Sequence, residues 1–124
     1  MVELALEECG PEHRFRFIQR PVNMKMVKAF VDKPASVLQA ASRLGIAAIA
    51  SATLSQTLVL EHMKPVAELL PGLTNGQRAI QSTRSAPAIA AALVGMGRRE
   101  HLLENLGVAH VAPVTHEQYL RLYQ

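Results

Sequence analysis

The chain has 124 residues, of which 49% are hydrophobic, so it is long enough to enclose one core and too short for two. It lacks an apolar run near the ~18 residues of a membrane-spanning helix, and its single cysteine, Cys9, favours a reducing cytoplasm as its location. Its net charge of +3 is carried by scattered basic residues, and with 4% aromatic residues and no tryptophan the composition argues against a nucleic-acid partner.

The first half of the chain predicts two helix–strand units. Helical spacing runs over residues 2–9 and stops at a Gly-Pro pair, and alternating arginine and phenylalanine predict a strand over residues 14–19. One apolar face predicts a second helix over residues 35–44, ended by Gly45. Residues 46–50 are continuously apolar, which is typical of a strand buried on both faces.

The second half begins with a polar, proline-marked stretch, for which we predict neither helix nor strand, and then continues the alternation. Asn75 offers an N-cap for a helix that ends near Ser85, and residues 89–94 form a third apolar strand. A charged helix is predicted over residues 98–106. Its predicted inner face holds Leu102, Leu103 and Leu106.

The last predicted helix begins at Thr115, where the sequence Thr-His-Glu-Gln has the pattern of a capping box. Tyr119 and Tyr123 on this helix are interpreted as residues that dock it against the core. The predicted order is therefore three helix–strand units followed by two further helices.

Buried strands separated by helices predict an α/β fold with a parallel sheet, because parallel neighbours need crossover connections and helices must cover the sheet. The strands recur at roughly the ~30-residue interval of a βα-barrel of eight units. Three strands then form a partial (α/β)8 barrel in one domain that spans residues 1–124. A small, open three-layer sheet is the alternative that periodicity leaves open.

The third strand leads into a glycine turn, Gly95-Met96-Gly97, and then into the charged helix. Such a turn directs main-chain N–H groups and the positive end of a helix dipole at the same space, which predicts a phosphate site. The histidines and the single cysteine lack the spacing of a metal site, and no serine has a glycine elbow around it. The residues alone therefore predict a binding site without a catalytic or metal centre.

Three segments of this sequence carry a resemblance to a known family: FRFIQRPVN at residues 15–23, GIAAIASATLSQTL at residues 45–58, and QRAIQSTRSAPAIAAALVGMGRREHLLENLGV at residues 77–108. Together with PGL at residues 71–73, they appear in the order seen in aldo/keto reductases. The chain resembles the C-terminal part of that family, from the end of the fifth helix through the sixth, seventh and eighth strands to the tail.

The resemblance implies a barrel that binds NADP(H), or less often NAD(H), at the carboxyl ends of its strands and passes hydride to an aldehyde or ketone. Gln19 is then expected to hydrogen-bond the nicotinamide carboxamide, since an amide side chain offers both a donor and an acceptor. The stretch from Ser51 to Leu54 is expected along the nicotinamide and the pyrophosphate, with Ser51, Ala52 and Leu54 as the cofactor-binding residues. Many relatives place a ring-stacking tyrosine where this chain has Ser51, so that contact is missing here.

The adenosine side of the cofactor is expected at the glycine turn and the helix after it. The residues that the resemblance assigns to it are Gly95, Met96, Gly97, Arg98, His101, Glu104 and Asn105. Relatives often carry lysine, serine and arginine where this chain has Gly95, Gly97 and His101, which weakens a preference for NADP over NAD, although Arg98 can supply charge. Without the resemblance, these charged residues read as a solvated helix face.

The family's catalytic aspartate, tyrosine, lysine and histidine lie on its first four strands, which have no counterpart in this sequence. We therefore expect a cofactor-binding part that does not reduce carbonyls alone. A non-catalytic nucleotide-binding module and an oligomerising module remain alternatives. Two open strand edges also predict a partner, either a second copy of the chain or a complementing N-terminal half-barrel.

Overall fold

In the computed structural model, residues 1–26, 36–55 and 58–121 are described, and helices alternate with strands along them. The elements are α1 (Val2–Cys9), β1 (Phe17–Pro21), α2 (Val37–Arg43), β2 (Ala47–Ser51), α3 (Lys64–Leu69), α4 (Asn75–Arg84), β3 (Ile89–Ala92), α5 (Arg99–Leu106) and α6 (His116–Arg121). Two 3₁₀ turns, Leu60–His62 and Gly107–His110, precede α3 and follow α5.

The three strands form one parallel sheet in the order β1-β2-β3. Phe17 pairs with Ala47, and this register continues to Pro21 and Ser51. On the other side of β2 the register shifts between Ala48 and Ile49, so that one residue of β3 is skipped. Because the strands are parallel, their carboxyl ends meet at one edge of the sheet.

One face of the sheet is covered by helices and the other is open in the described part of the chain. On the covered face, Ala48 and Ala50 of β2 are buried, and their small side chains let helices approach closely. On the opposite face, Phe17 is 62% exposed and Gln19 is exposed, while Ile49, which pairs with Gln19, is half-buried. The sheet does not close among the described residues.

The core lies between the covered face of the sheet and the helices α3, α4 and α6. Its buried members are Val22, Ala50, Val59, Met63, Val66, Leu70, Ala79, Ala86 and Tyr119. Tyr119 is 1% exposed and belongs to α6, so its predicted docking role is confirmed, whereas Tyr123 lies outside the described residues.

Three helices begin with a side chain that accepts a hydrogen bond from the main chain three residues on. Ser36 caps α2 and Thr74 caps α4, each with a glutamine that bonds back to the main chain of the capping residue. The predicted capping box at Thr115 is confirmed, since Gln118 N donates to Thr115 Oγ1 over 3.2 Å. The prediction that Asn75 caps α4 is wrong, because Thr74 occupies that position.

The predicted elements are present, with shifted bounds. The helix predicted over residues 2–9 is confirmed, whereas the first strand begins and ends later than residues 14–19, at Phe17 and Pro21. Pairing with the whole of β2 sets these bounds, and the proline is tolerated at the end of a strand. The helix predicted over residues 35–44 is shorter, and its first residue lies outside the described part.

Two predictions about the second half are wrong. The proline-marked stretch contains the helix α3, which has a proline in its first turn, where a missing N–H costs little. The leucines predicted as the inner face of α5 are exposed, and no residue of this helix is buried. The helix is instead attached through polar bonds to α4, one of which joins Gln77 Nε2 to Glu104 O over 2.7 Å.

Candidate functional site

The carboxyl edge of the sheet carries a cleft between the loops that follow β2 and β3. Its volume is about 280 Å³. It is lined by Ala52, Thr53, Leu54, Ser55, Leu93, Val94 and Gly95. Ligands of parallel α/β sheets bind at this edge, because the loops there can vary without disturbing the sheet.

Thr53 joins the two walls of this cleft. Its side chain is 1% exposed, and Oγ1 donates a hydrogen bond to Leu93 O over 2.9 Å. Leu93 N in turn donates to Ala50 O over 2.8 Å, which continues the sheet one residue beyond β3. Leu93 is therefore held to β2 through its N–H group and to the loop after β2 through its carbonyl group.

Asn23 makes a corresponding connection on the other side of β2. It is 1% exposed, and Nδ2 donates to Ala52 O over 3.0 Å. Oδ1 accepts from Lys25 N over 3.0 Å, so both ends of the amide are engaged and its orientation is fixed. Val22 N donates to Ser51 O over 3.1 Å beside it.

The main chain of the β2 loop is strained at two positions. Ala52 has a φ of 53° and Ser55 a φ of 43°, both in the left-handed region that side chains other than glycine rarely adopt. Strain of this kind persists only where surrounding bonds hold it, and it is concentrated at functional sites. Here the Asn23 amide holds the carbonyl of Ala52.

The glycine turn has no internal reason to be glycine. Residues 93–97 belong to neither helix nor strand, and Gly95 and Gly97 do not adopt a positive φ. A methyl group built on either glycine meets no atom within 4 Å. A side chain at either position would therefore extend into open space outside the turn and would not contact the described part of the chain.

The helix after the turn begins one residue later than predicted. α5 starts at Arg99, and Arg98 is the N-cap residue, without a capping bond from its side chain. Met96 and His101 are exposed, and Asn105 is half-buried. Arg98 and Arg99 are also exposed, so their guanidinium groups are available at the surface beside the turn.

Glu104 is engaged with α4. Its Oε1 accepts a hydrogen bond from Thr74 Oγ1, and its carbonyl oxygen accepts from Gln77 Nε2. Thr74 Oγ1 also accepts from Gln77 N over 3.2 Å. The N-terminus of α4 thus fixes one side of α5 through two polar contacts, and the third bond holds Thr74 in place for one of them.

The structure brings some of the predicted site residues together. Ala52, Leu54 and Gly95 line the cleft, and Ser51 ends β2 directly before it. Gln19 pairs with Ile49, and Ser51 lies two residues after Ile49 on the same strand. Because alternate residues of a strand point to the same side, Gln19 and Ser51 occupy the same sheet face. The other predicted residues, Met96, Gly97, Arg98, His101, Glu104 and Asn105, follow beyond the cleft lining.

Asn23 was not among the predicted site residues, and Thr53 was predicted only as part of the stretch that lies along the cofactor. Each is a small polar residue within two positions of a strand end, where strand pairing stops and main-chain carbonyls can accept from side chains. That placement was the available signal, although their partners lie 29 and 40 residues away in the sequence and no spacing reveals them.

The polar side chains of the segment QRAIQSTRS, at residues 77–85, form hydrogen bonds to the main chain of a later segment. Arg84 donates to two carbonyl oxygens of residues 108–111 over 3.0 and 3.1 Å. Gln81 donates to Ala112 O, and Ser85 Oγ accepts from Val114 N over 3.0 Å. One face of α4 therefore holds the main chain that connects α5 to α6.

Two features are absent from the described part of the chain. No helix among residues 1–26, 36–55 and 58–121 is long and apolar enough to cross a membrane. Within the same ranges, no three histidine, cysteine, aspartate or glutamate side chains are grouped to hold a metal ion.

Comparison with known proteins identifies the fold. No family model and no curated protein matches the sequence. A solved structure does match: a thermostable aldo-keto reductase, Tm1743, in complex with the inhibitor epalrestat. The two share 24% identity at a TM-score of 0.72, over 97% of this chain and 42% of that chain. The chain has the fold of part of an aldo-keto reductase barrel.

This match confirms the predicted fold class, a partial barrel of three parallel strands with helices, over the small three-layer sheet. The chain spans less than half the length of the aldo-keto reductase that it resembles. The open sheet face that carries Phe17 and Ile49 corresponds in a closed barrel to its interior.

Proposed function

We propose that this chain is the cofactor-binding part of an oxidoreductase of aldo-keto reductase type, and that it binds NADP(H), or less favourably NAD(H), at the carboxyl edge of its sheet. The observation that carries the proposal is the cleft between the loops after β2 and β3, which continues into the glycine turn. At about 280 Å³ the cleft holds part of a dinucleotide, so the remainder would extend along the turn towards α5.

The nicotinamide half is assigned to the cleft and the sheet face beside it. Gln19 and Ser51 share that face, and Ala52 and Leu54 begin the wall of the cleft. The exposed amide of Gln19 can offer both a donor and an acceptor to a carboxamide. The bound cofactor would supply hydride chemistry, and these residues would orient it.

The adenosine half is assigned to the turn and α5. The open space at Gly95 and Gly97 lets a phosphate approach the main chain closely, and Arg98 and His101 lie at the surface beside it. Because Glu104 already bonds Thr74, Asn105 is the better candidate for the adenine edge, and Glu104 would act by holding α5 in place.

The open sheet face favours a covering partner for the proposed function. Phe17 at 62% exposure is an apolar side chain that a closed barrel would bury. We propose that further barrel strands, in the same or another polypeptide, cover this face, or that a second copy of the chain does. A non-catalytic nucleotide-binding or oligomerising module is the alternative, and a reducing cytoplasm remains the proposed location.

Titration of the 124-residue chain with NADPH and with NADH tests the proposal. Nucleotide fluorescence is a clean signal, since the chain has no tryptophan. We expect saturable binding of both nucleotides, and Arg98→Ala should weaken NADPH several-fold more than NADH if Arg98 contacts the 2′-phosphate. The matched control is Arg121→Ala, which removes an arginine paired with Glu117 on α6, away from the cleft. Absence of binding to either nucleotide would favour the oligomerising alternative.

A further inference from the structure

We propose that Thr53 and Asn23 are positioning residues that set the separation of the two walls of the nucleotide cleft. The inference rests on the proposed function and extends it to two residues that line or flank the cleft without being assigned to the cofactor. Each is fully buried, and each donates a hydrogen bond to a carbonyl oxygen of the next loop.

Thr53 acts between the walls. One wall is formed by residues 52–55 and the other by residues 93–95, and the bond from Thr53 Oγ1 to Leu93 O spans them over 2.9 Å. The sheet already pairs Leu93 N with Ala50 O, so regular strand pairing is complete at that point. The threonine bond therefore acts on the segment beyond the sheet, where the cleft begins.

Asn23 acts on the strained residue of the first wall. Its Nδ2 holds Ala52 O over 3.0 Å, and Ala52 is held at a φ of 53°. Because Oδ1 of the same amide accepts from Lys25 N, the amide has no freedom to turn away. The carbonyl of Ala52 is thus fixed by a rigid donor from the neighbouring strand end.

A preformed cleft binds its ligand more tightly than one that must be ordered during binding. The two bonds order the main chain on both sides of the cleft before any ligand arrives. Loss of one bond should therefore weaken nucleotide binding in addition to any loss of stability. This second effect separates a positioning role from a purely structural one.

The decisive variants are Thr53→Val, which removes the hydroxyl at nearly constant volume, and Thr53→Ser, which keeps it. The matched control is Thr83→Val: Thr83 is also buried, at 2% exposure, but its Oγ1 has no hydrogen-bond partner among the described residues. We expect Thr53→Val to weaken NADPH binding about tenfold, Thr53→Ser to stay within about twofold of the wild type, and Thr83→Val to bind unchanged.

The outcomes separate this inference from the proposed function. If the wild type binds NADPH and Thr53→Val binds it equally well, the inference is overturned and the proposed function stands. Equal weakening in Thr53→Val and Thr53→Ser would also overturn it, since the hydroxyl would not be the cause. If the wild type binds no nucleotide, both are overturned.

A second variant keeps the test decisive if Thr53→Val fails to fold. Asn23→Ser can still accept a bond from Lys25 N, but its hydroxyl is too short to reach Ala52 O. The same criteria apply: weaker nucleotide binding by a folded Asn23→Ser protein supports the inference, and unchanged binding overturns it. Circular dichroism at the titration temperature establishes that the variant is folded.

Discussion

Replacing Ala52 with glycine should stabilise the fold and weaken nucleotide binding at the same time. Ala52 is exposed and has a φ of 53°, so its methyl group contributes strain and little burial. A left-handed main chain costs an L-residue roughly 1–2 kcal/mol, whereas glycine loses about 0.5–1 kcal/mol more than alanine on folding. The net expectation is a gain of about 0.5–1 kcal/mol in the free energy of unfolding.

Nucleotide binding should change in the opposite direction, because glycine permits residual motion of the exposed main chain at position 52 in the folded protein, and a ligand on the cleft wall would restrict that motion. A cost of about 1 kcal/mol for that ordering corresponds to roughly a fivefold weaker dissociation constant for NADPH. The matched control is Ala88→Gly. Ala88 is likewise exposed, with a φ of 64°, but it precedes β3 and therefore lies at the edge of the sheet opposite the cleft.

Urea denaturation and NADPH titration together decide the matter. Both variants should raise the urea midpoint by roughly 0.3–0.7 M at a slope typical of small domains, and only Ala52→Gly should bind the nucleotide more weakly. A lower midpoint for Ala52→Gly would refute the assignment of strain. A higher midpoint with unchanged affinity would refute the link between the strained wall and the ligand.

Two further predictions concern the attachment of α5 to α4, and urea denaturation measures both. Gly107→Ala should lower the free energy of unfolding by about 1 kcal/mol, because its methyl group would lie 2.9 Å from Gln77 Nε2 and disturb that bond. Gly95→Ala, which meets no atom within 4 Å, is its control, and equal effects would contradict this explanation. Thr74→Ala should cost about 1–2 kcal/mol, since it removes both the cap of α4 and the bond to Glu104, and Thr74→Ser should restore most of it.

The sequence was sufficient to predict the strands, most of the helices and the parallel sheet, because continuous apolar runs and one-sided apolar spacing report local burial. It failed for α3, which lies in the proline-marked stretch where no helix was predicted, although a proline fits the first helical turn. It failed again for the leucines of α5: spacing shows that three leucines share a face, but not whether anything covers that face. In the described residues Leu103 remains 57% exposed.

The bonds that shape the cleft could not be predicted for a different reason. Asn23 and Thr53 bond to residues that are distant in the sequence, and the partner in each case is a main-chain carbonyl, which any residue type provides. The pattern of side chains in the sequence therefore does not indicate which carbonyl groups Asn23 and Thr53 bond to. The predicted cleft residues Ala52, Leu54 and Gly95 were found through a family resemblance, and the structure brings them together at one cleft.

The cleft and α5 are held in different ways, and this difference bears on how a dinucleotide would bind. The cleft walls are joined by bonds from fully buried side chains, whereas α5 has no buried residue and is fixed to α4 through Glu104. Because apolar burial is the main stabilising contribution to folding, α5 is held less firmly than the walls. A ligand that contacts both would therefore meet a formed nicotinamide side and would order the adenosine side as it binds. The glycine turn lies between them, where open space on the main chain would let the phosphates join the two.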